Sequence, residues 1–532
     1  MVGAGASGSL SPCPAPQSFR KAPSFVSTAR TVRRSSPSPL LVRSIPALWT
    51  LALGLWGLSR QDSVWRDEAA TWQVARRSTA ETVHMLANVD VVHGLYYLLM
   101  HGLFDLFGPG TAVLRLPSVV AMAVAASCVA ALGHRLAGPW AGLGGGLALG
   151  LLPAVQFYLQ EGRPYALVAA GAGISTLLLV TLLEGRGRAV HWVAYGGTVA
   201  LGGLLNWFSL MILPAHLVTL LWTRAGRDTG RRWAAAAVAA VACVLPLVLF
   251  SRSQSAQVSW IPPLTWHMLI GPAILLAIGG AGALLDRPRA DGFRADGTRP
   301  DQPRSDRPRA RRLSAAAVGL PLLAVPQLGL VGLSLIQPLF LDRYVLFSLL
   351  GLALLIGVAI GTAVEAVARR RPRAAPWVLP VVMAVAVAAL LPQALAKRSP
   401  ASRVDDVLAA AADVRRMKSP GDVVLFIPAA RRDTALVSPD AFSGLQDIAL
   451  AESPEESATL KGTEARPDRI RSAMLAHHRI LLVTDAPGVA RPPATARDRM
   501  KRSVLRDHFR ITADGQVRGR RVTVYERRTT AR

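Results

Sequence analysis

Cysteine is nearly absent from this sequence, with three among 532 residues. Cys13 lies in a stretch rich in serine and proline, whereas Cys128 and Cys243 lie within apolar runs. Cysteines so few and so placed exclude a disulfide framework of the kind that stabilises small secreted proteins. They also provide no pair of thiolates for a metal site.

Charged residues are scarce as well, at 17% of the chain, whereas 51% of the residues are hydrophobic. A soluble chain of this length would form about two to four domains. Here the apolar residues are gathered into repeated runs that are long enough to cross a bilayer. This pattern predicts a polytopic, mainly α-helical membrane protein.

Acidic residues are the rarer of the two charge types, 33 against 60 basic residues, for a formal net charge of +27. In a soluble protein this excess would indicate a nucleic-acid partner. In this chain the arginines cluster at the ends of apolar runs, a pattern that sets the orientation of membrane proteins. We therefore expect membrane lipids, and no nucleic acid, as partners.

The apolar runs predict about eleven membrane spans, which make residues 40–396 a transmembrane domain. A basic tail, residues 1–39, precedes them and is expected to be disordered and cytoplasmic. No small-residue cleavage site follows the first run, so we expect it to be an uncleaved anchor. The predicted spans are Leu40–Leu58, Ala112–Leu132, Trp140–Phe157, Tyr165–Leu183, Trp192–Leu205, Leu210–Trp222, Ala234–Phe250, Met268–Leu285, Ala315–Ile336, Val345–Val367 and Trp377–Leu395.

Arginine-rich segments fall at every second boundary between spans, and all lie on one side if the amino terminus is cytoplasmic. One of them, residues 286–312, is rich in proline, arginine and aspartate and is expected to be a flexible cytoplasmic loop. Eleven spans then place the carboxyl terminus outside, in a protein of the plasma membrane. Nearly all other conspicuous polar residues fall in the outer segments, which are residues 60–110, Gln160–Tyr165, Asn206–Phe208, Ser251–Trp266, Gln337–Tyr344 and the chain after Lys397.

The first outer loop opens with two adjacent carboxylates, Asp67 and Glu68. Acidic side chains so close to a bilayer are costly to keep without a function. Further along, "DVVHGLYYLLMHGLFDLFG" is too short and polar to span, and it predicts an amphipathic helix at the membrane interface.

That helix carries a polar stripe at four-residue steps, formed by His93, Tyr97, His101 and Asp105. For His101 and Asp105, exposure to water or headgroups is a sufficient explanation. Asp90 and His93 lie at the amino-terminal end, nearest the two carboxylates, and we assign them to the functional site.

Three segments together carry a resemblance to a known family, namely "WRDEAATW", "DVVHGLYYLLMHGLFDLFGPGTAVLRLPSVV" and "QEGRPYAL". Across roughly residues 40–183 the chain resembles the membrane glycosyltransferases of the GT-C superfamily. More narrowly, it is similar to the bacterial branch of this superfamily that is related to protein O-mannosyltransferases and to the lipid A aminoarabinose transferase. This branch resembles glycosyltransferase family 39.

This resemblance implies a sugar donor linked to a polyprenyl phosphate, with mannose as the favoured sugar. It also implies a catalytic base at the first-loop acid, which is Asp67 here, with Glu68 beside it. Where relatives often have Lys-Pro-Pro-Leu, this chain has His93-Gly94-Leu95-Tyr96. That departure leaves open how the donor phosphate is held.

The chemistry of an inverting sugar transfer indicates the remaining candidates. Because the phosphate is a good leaving group, the reaction needs one carboxylate to accept the acceptor hydroxyl proton, and cations to stabilise the departing phosphate. Arg163 and Arg343 suit the second task, since a guanidinium pairs bidentately with phosphate. The other substrate-binding candidates are Asp90, His93, Tyr97, Glu161, Tyr165 and Tyr344. A divalent metal held by Glu68, His93 or Glu161 stays open, although their spacing matches no defined metal motif.

These residues also have structural interpretations. Arg163 and Arg343 would pair with Glu161 and Asp342 to stabilise short loops. The aromatic residues would anchor the protein at the interface, which applies to Trp65, Trp72, Tyr165 and Tyr344.

A secondary transporter or lipid flippase is the alternative function. Such proteins place ionisable residues at mid-membrane depth and often repeat their halves. The predicted spans have almost no mid-depth charge and no visible repeat, which favours the enzyme. The acceptor, a hydroxyl on a protein, lipid or glycan, is left open by the sequence.

After residue 396 the pattern becomes that of a small α/β domain, residues 397–532. The runs "DVVLFIP", "RILLVTD" and "RRVTVYER" predict strands, and "ASRVDDVLAAAADVRRM" and "PDRIRSAMLAHH" predict helices. We expect this domain outside the membrane, in a docking or acceptor-positioning role. Its "VTDAPG" turn ends a strand, where ligands often bind, but it lacks the glycine pattern of a phosphate loop.

Overall fold

The computed structural model describes Gly8 and residues 37–58, 62–254, 261–286, 313–492 and 495–528. The predicted basic tail up to residue 36, apart from Gly8, lies outside these ranges. The predicted flexible loop beyond Asp286 lies outside them too.

Each of the eleven predicted spans corresponds to helical structure. By length and composition, seven of the described helices can cross a membrane, and four shorter apolar helical segments accompany them. The helices of this part are α1 (Pro39–Leu55), α2 (Arg66–Ala75), α3 (Thr79–Asn88), α4 (Gly94–Phe107), α5 (Thr111–Ala137), α6 (Pro139–Leu151), α7 (Pro153–Tyr158), α8 (Tyr165–Leu183), α9 (Ala189–Leu205), α10 (Ile212–Trp222), α11 (Arg227–Ser253), α12 (Trp266–Leu284), α13 (Ala315–Ser334), α14 (Leu349–Arg370) and α15 (Ala375–Arg398).

The third predicted span, Trp140–Phe157, is not one helix. It ends at Leu151 as α6 and resumes at Pro153 as the short α7. Proline lacks an N–H donor and forces the preceding residue out of the helical region, and Leu152 is accordingly extended, at φ −59° and ψ 130°. The break turns the chain towards the polar segment at residues 159–164.

Helix α6 packs tightly between α5 and α14 because its contact face is built from small residues. A Cβ added to Gly145 would lie 2.8 Å from the backbone oxygen of Ala353 on α14. In a membrane the hydrophobic effect does not drive helices together, because lipid tails are as apolar as the side chains. Helices there associate instead through close packing of their backbones at small residues.

The first loop folds into α2, α3 and α4. Helix α3 begins with a capping box, in which Glu81 N donates to Ser78 Oγ and Ser78 N donates to Glu81 Oε2 at 2.9 Å. Helix α4 buries Tyr96, Tyr97 and Met100 against the protein, whereas other apolar side chains, such as Phe107, are exposed. The predicted polar stripe therefore points inward at Tyr97.

Residues 400–528 form what we call the C-terminal α/β region. Its main sheet has the order β2-β1-β5-β7-β6, in which β1 pairs in parallel with β2 and β5, and β7 pairs antiparallel with β5 and β6. The strands are β1 (Val423–Ile427), β2 (Gln446–Asp447), β3 (Leu450–Glu452), β4 (Thr463–Glu464), β5 (Arg479–Asp485), β6 (Phe509–Val517) and β7 (Arg520–Arg527). The helices are α16 (Val407–Met417), α17 (Asp433–Val437), α18 (Pro467–Ala476) and α19 (Ala496–His508).

Alternation along β1 explains the two layers of helices on this sheet. Leu425 and Ile427 point to one face and pack with the apolar residues of α18 and α19. Val424 and Phe426 point to the other face and pack against α16. Because β1 is buried on both faces, its sequence is a continuous apolar run.

The polar loops that connect the spans meet on one side of the bundle, which we call the loop face. Gln254 accepts a hydrogen bond from Val91 N at 3.0 Å and so joins the fourth predicted outer segment to the first loop. Phe208 stacks on Tyr344 with ring centroids 4.5 Å apart. Arg403, from the C-terminal α/β region, donates to Gln160 O at 3.0 Å.

Candidate functional site

The amino terminus of α2 carries both first-loop carboxylates. The helix begins at Arg66, so Asp67 and Glu68 lie in its first turn, where the helix dipole favours negative charge. Consecutive residues on a helix point about 100° apart, so the two side chains enter different surroundings.

Glu68 points into the protein and is fully buried. Its Oε1 accepts from Arg115 Nε at 2.8 Å, its Oε2 accepts from Arg115 Nη2 at 2.7 Å, and Oε1 also accepts from Gly162 N at 2.9 Å. Burial raises the pKa of Glu68, but the charge and hydrogen bonds of Arg115 outweigh it, so the pKa lies below its ordinary value.

The predicted catalytic role of Glu68 does not fit this geometry, because both of its oxygens are engaged by Arg115. The pair instead joins α2, α5 and the segment at residues 159–164. These contacts favour a supporting role for Glu68 in the loop that presents Asp67.

Asp67 points to the other side and is partly accessible, with a side-chain exposure of 22%. Its Oδ2 lies 2.7 Å from Arg343 Nη1. Asp342, the partner that the structural interpretation of Arg343 predicted, accepts from the backbone, Arg343 N to Asp342 Oδ1 at 2.8 Å. The Arg343 guanidinium lies 5.8 Å from the ring centroid of Tyr165 and 5.9 Å from that of Tyr344.

Arg163 is buried beside the same helix. Its Nη1 is 3.4 Å from Asp67 O, and its Nη2 donates to His93 Nε2 at 3.0 Å. The Nε of Arg163 has no partner among the described residues. The side chain of Glu161 is not its partner, which corrects the second predicted structural pairing.

A chain of hydrogen bonds that starts at Arg163 fixes the orientation of its guanidinium group. A guanidinium can only donate, so His93 Nε2 accepts from Arg163. The ring proton of His93 is then on Nδ1, which donates a hydrogen bond to Asp90 Oδ1, 2.7 Å away. The hydroxyl of Tyr97 donates to the other oxygen of Asp90. Burial opposes the charge of Asp90, but His93 and Arg163 prevail and hold its pKa below the ordinary value.

Asp90 also has an uncommon backbone conformation. Its φ of 61° and ψ of 30° lie in the left-handed region, which few residues other than glycine, asparagine and aspartate adopt. Non-glycine residues in this region cluster at functional sites. The conformation directs the Asp90 carboxylate towards His93 and Tyr97.

Glu161 is the least satisfied charged group of the site. It is 1% exposed, and neither carboxylate oxygen has a hydrogen-bond partner among the described residues. Burial, opposed by Arg403 and Arg343 and reinforced by Asp67 and Glu68, raises the pKa of Glu161 to about 7. Near neutral pH this carboxyl group therefore holds a proton part of the time and can donate a hydrogen bond.

Of the four predicted aromatic anchors, two are buried in the protein and two, Trp72 and Tyr344, are half-buried. Trp65 is buried at the start of α2, and Trp72 contacts Phe104 edge to face, with centroids 5.4 Å apart. Tyr165 is buried as well, and Tyr344 is packed between Phe208 and Arg343.

The predicted metal candidates do not form a ligand set. Glu68 is bound by Arg115, and His93 by Asp90 and Arg163. Within the part of the chain that the structure describes, no group of three or more histidine, cysteine, aspartate or glutamate side chains is placed to hold a metal ion.

Two arginines of the site, Arg115 and Arg403, were not predicted from the sequence. Arg115 lies near the start of α5, and a lone arginine inside an apolar run was the signal that could have revealed it. Arg403 follows the last span, lies 3.6 Å from the ring centroid of Phe157, and is buried close enough to Glu161 to lower its pKa. No local pattern marks Arg403.

Residues 95–251 match the profile of the family described as dolichyl-phosphate-mannose-protein mannosyltransferase. Among solved structures, the fold is similar to that of ArnT from Cupriavidus metallidurans in the apo state. The TM-score is 0.58 at 15% sequence identity, over 90% of this chain and 97% of that protein.

A second structure of ArnT from the same organism, bound to undecaprenyl phosphate, gives a TM-score of 0.57 at 15% identity and the same coverage. No curated protein sequence matches the chain significantly. The shared fold confirms the predicted fold class, a mainly α-helical membrane bundle with a small α/β part at its carboxyl-terminal end.

Proposed function

We propose that this chain, a membrane glycosyltransferase of the GT-C superfamily, moves a sugar from a polyprenyl-phosphate donor to an extracytoplasmic hydroxyl group with inversion. The superfamily resemblance and the glycosyltransferase class, both predicted from the sequence, are confirmed by the family profile and the fold. The alternative of a secondary transporter or lipid flippase accordingly gives way to the enzyme. Mannose is the sugar that the description of the family profile favours.

We propose that the loop face lies outside the plasma membrane and that the amino terminus lies in the cytoplasm. The distribution of arginines supports this orientation. The donor fits the fold, because ArnT, which shares it, has been solved with undecaprenyl phosphate. The polyprenyl chain would lie among the helices, with its phosphate at the loop face.

The ion pair between Asp67 and Arg343 is the observation that carries the proposal. It brings a partly exposed carboxylate and a cation to 2.7 Å, at the helix terminus where the sequence predicts the base. In the reaction, the acceptor oxygen attacks C1 of the sugar while its proton passes to Asp67. The bond between C1 and the phosphate oxygen breaks, and the phosphate leaves with the electron pair.

The leaving phosphate gains negative charge, and the arginines stabilise it. Arg343 exchanges its bond to Asp67 for bonds to the phosphate, which frees Asp67 to act as the base. Arg163, aimed by His93 and Asp90, donates through its Nε, which has no partner among the described residues. This arrangement supplies the cation that the missing Lys-Pro-Pro-Leu motif would otherwise provide.

The experiment is to incubate membranes containing the protein with radiolabelled polyprenyl-phosphate sugars and to identify which label moves and onto which acceptor. Asp67→Asn should leave the protein folded and lower the transfer rate by about 10² to 10⁴, since it removes the base. Asp62→Asn changes an exposed acid five residues earlier in the same loop and should have no effect. Full activity in Asp67→Asn would refute the base, and a wild-type protein that moves no label would refute the donor class.

A further inference from the structure

The helix that carries Asp67 has no capping side chain of its own. Trp65 occupies the N-cap position of α2 and makes no side-chain cap bond. The first N–H groups of a helix need acceptors from elsewhere. Arg66 N donates instead to Asp405 Oδ1 at 3.0 Å, and Asp405 lies 339 residues further along the chain.

Asp405 is itself held in a buried charge network. Its Oδ2 accepts from Arg66 Nε at 3.0 Å and from Arg520 Nε at 3.0 Å. Arg520, fully buried, binds both oxygens of Asp433 at 2.7 Å. We call Arg66, Asp405, Asp433 and Arg520 the clamp; three of its members belong to the C-terminal α/β region, and only Arg66 belongs to the first loop.

Apolar and backbone contacts extend the clamp along α2. Val407 N donates to Val64 O at 2.7 Å, and Val64, Ala69, Val407 and Val437 form a buried apolar cluster. At the other end of α2, Arg77 donates to Thr459 O at 2.9 Å. The C-terminal α/β region therefore holds both ends of the helix.

The clamp occupies the edge of the sheet where α/β proteins bind ligands. Asp433 follows the carboxyl end of β1, and Asp485 ends the parallel neighbour β5. Small molecules commonly bind at this edge of a parallel sheet. Here Asp485 Oδ1 forms an ion pair with Arg431 Nε at 2.7 Å and lies 3.7 Å from Arg66 Nη2, so the edge faces the first loop.

We infer that Asp405 is a positioning residue for the transfer reaction, which fixes the first turn of α2 and thereby the carboxylate of Asp67 relative to the donor. The inference rests on the proposed function. Asp405 contacts no reacting group, since it acts through Arg66. A base displaced by about 1 Å can lose about 100-fold in rate, so a cap supplied from the C-terminal α/β region sets the rate of the chemical step.

The test is Asp405→Asn in the full-length protein. Asparagine keeps an acceptor for Arg66 N but removes the negative charge that Arg66 and Arg520 share. We expect kcat to fall about 10-fold to 100-fold while the KM for the donor changes less than about twofold. Amide hydrogen exchange in residues 62–77 should become faster, as the clamp loosens.

The matched control is Asp422→Asn. Asp422 is 4% exposed, accepts from Arg479 at 2.8 Å, and lies at the opposite end of β1, away from α2. It should change neither the kcat nor the exchange of residues 62–77. If Asp405→Asn does not fold, Arg66→Gln takes its place, because Arg66 is partly exposed and the change removes only its ion pair with Asp405. Its kcat should fall, and exchange in residues 62–77 should become faster, in the same directions as expected for Asp405→Asn.

Wild-type kcat and exchange in Asp405→Asn, or an equal loss in Asp422→Asn, would overturn the inference. A loss of donor affinity in place of kcat would overturn it as well. Failure of the proposed function is distinguishable, since it would leave the wild-type protein without transfer activity, whereas the exchange measurement needs no activity.

Discussion

Variants of the buried pair of Glu68 and Arg115 test whether Asp67 and Glu68 have different roles, one in catalysis and the other in structure. Both side chains are fully buried, so removing one leaves the other charge without a partner in a medium of low polarity. Breaking such a pair costs about 3 to 5 kcal/mol. Arg115→Met alone should therefore lower the apparent melting temperature in detergent by roughly 3 to 5 °C.

The double variant Glu68→Gln/Arg115→Met removes both charges together. The glutamine oxygen can still accept from Gly162 N, so the remaining losses are the bond from Arg115 Nη2 to Ser63 O and a partner for the glutamine NH2, which replaces the oxygen that accepted from Arg115. An unpaired buried acceptor costs about 1 to 3 kcal/mol, so the double variant should recover part of the stability that the single variant loses. Arg521→Met serves as the control, since its pair with Asp514 is partly exposed and is worth no more than about 1 kcal/mol.

Sugar transfer by the double variant decides the role of Glu68. If Glu68 only supports the loop, the double variant should keep the transfer rate within about tenfold of the wild type. Loss of a catalytic carboxylate would cost about 10² to 10⁴. A stable double variant with a loss of that size would refute the assignment of Glu68 to structure.

Two further predictions concern the rest of the site. Burial raises the pKa of Glu161 from 4.5 to about 7, so the folded protein binds this proton more tightly than the unfolded chain does. The free energy of unfolding should then fall as pH rises from about 4.5 through 7, by about 3 kcal/mol in total, and thermal denaturation of Glu161→Gln should show no such fall. Coinciding curves for the two proteins would contradict the raised pKa. Arg343→Lys keeps the charge but loses the planar fork, so the KM for the donor should rise about tenfold, whereas the exposed Arg186→Lys should leave it unchanged in the same initial-rate assay.

Local patterns were sufficient to predict most of the elements. The run Tyr165–Leu183 is apolar, has the length of a span and is bounded by proline and glutamate, and α8 has the same bounds. The strands β5 and β7 also begin and end where their β-branched runs do. Pro153, by contrast, lies inside an apolar run whose composition still suggested one span, so the break between α6 and α7 was missed.

The site was only partly predictable, because its contacts join distant segments. Asp67 and Glu68 are neighbours with the same chemistry, and only the helical rotation between them sends one to Arg343 and the other to Arg115. The proximity of Arg163 and His93 followed from the assignment of their loops to one side of the membrane. The role of Asp405 could not be predicted, since no pattern in its own segment indicates a contact with a residue 339 positions earlier in the chain.

The origin of the α2 cap has a consequence for biosynthesis. A ribosome makes the first loop early and reaches Asp405 only after every helix of the bundle, a delay on the order of 20 to 70 s at ordinary elongation rates. During that interval the nascent chain already carries Asp67, the proposed base, but on a helix whose first turn lacks its partner. Synthesis of the C-terminal α/β region is thereby the step that completes the amino-terminal turn of α2.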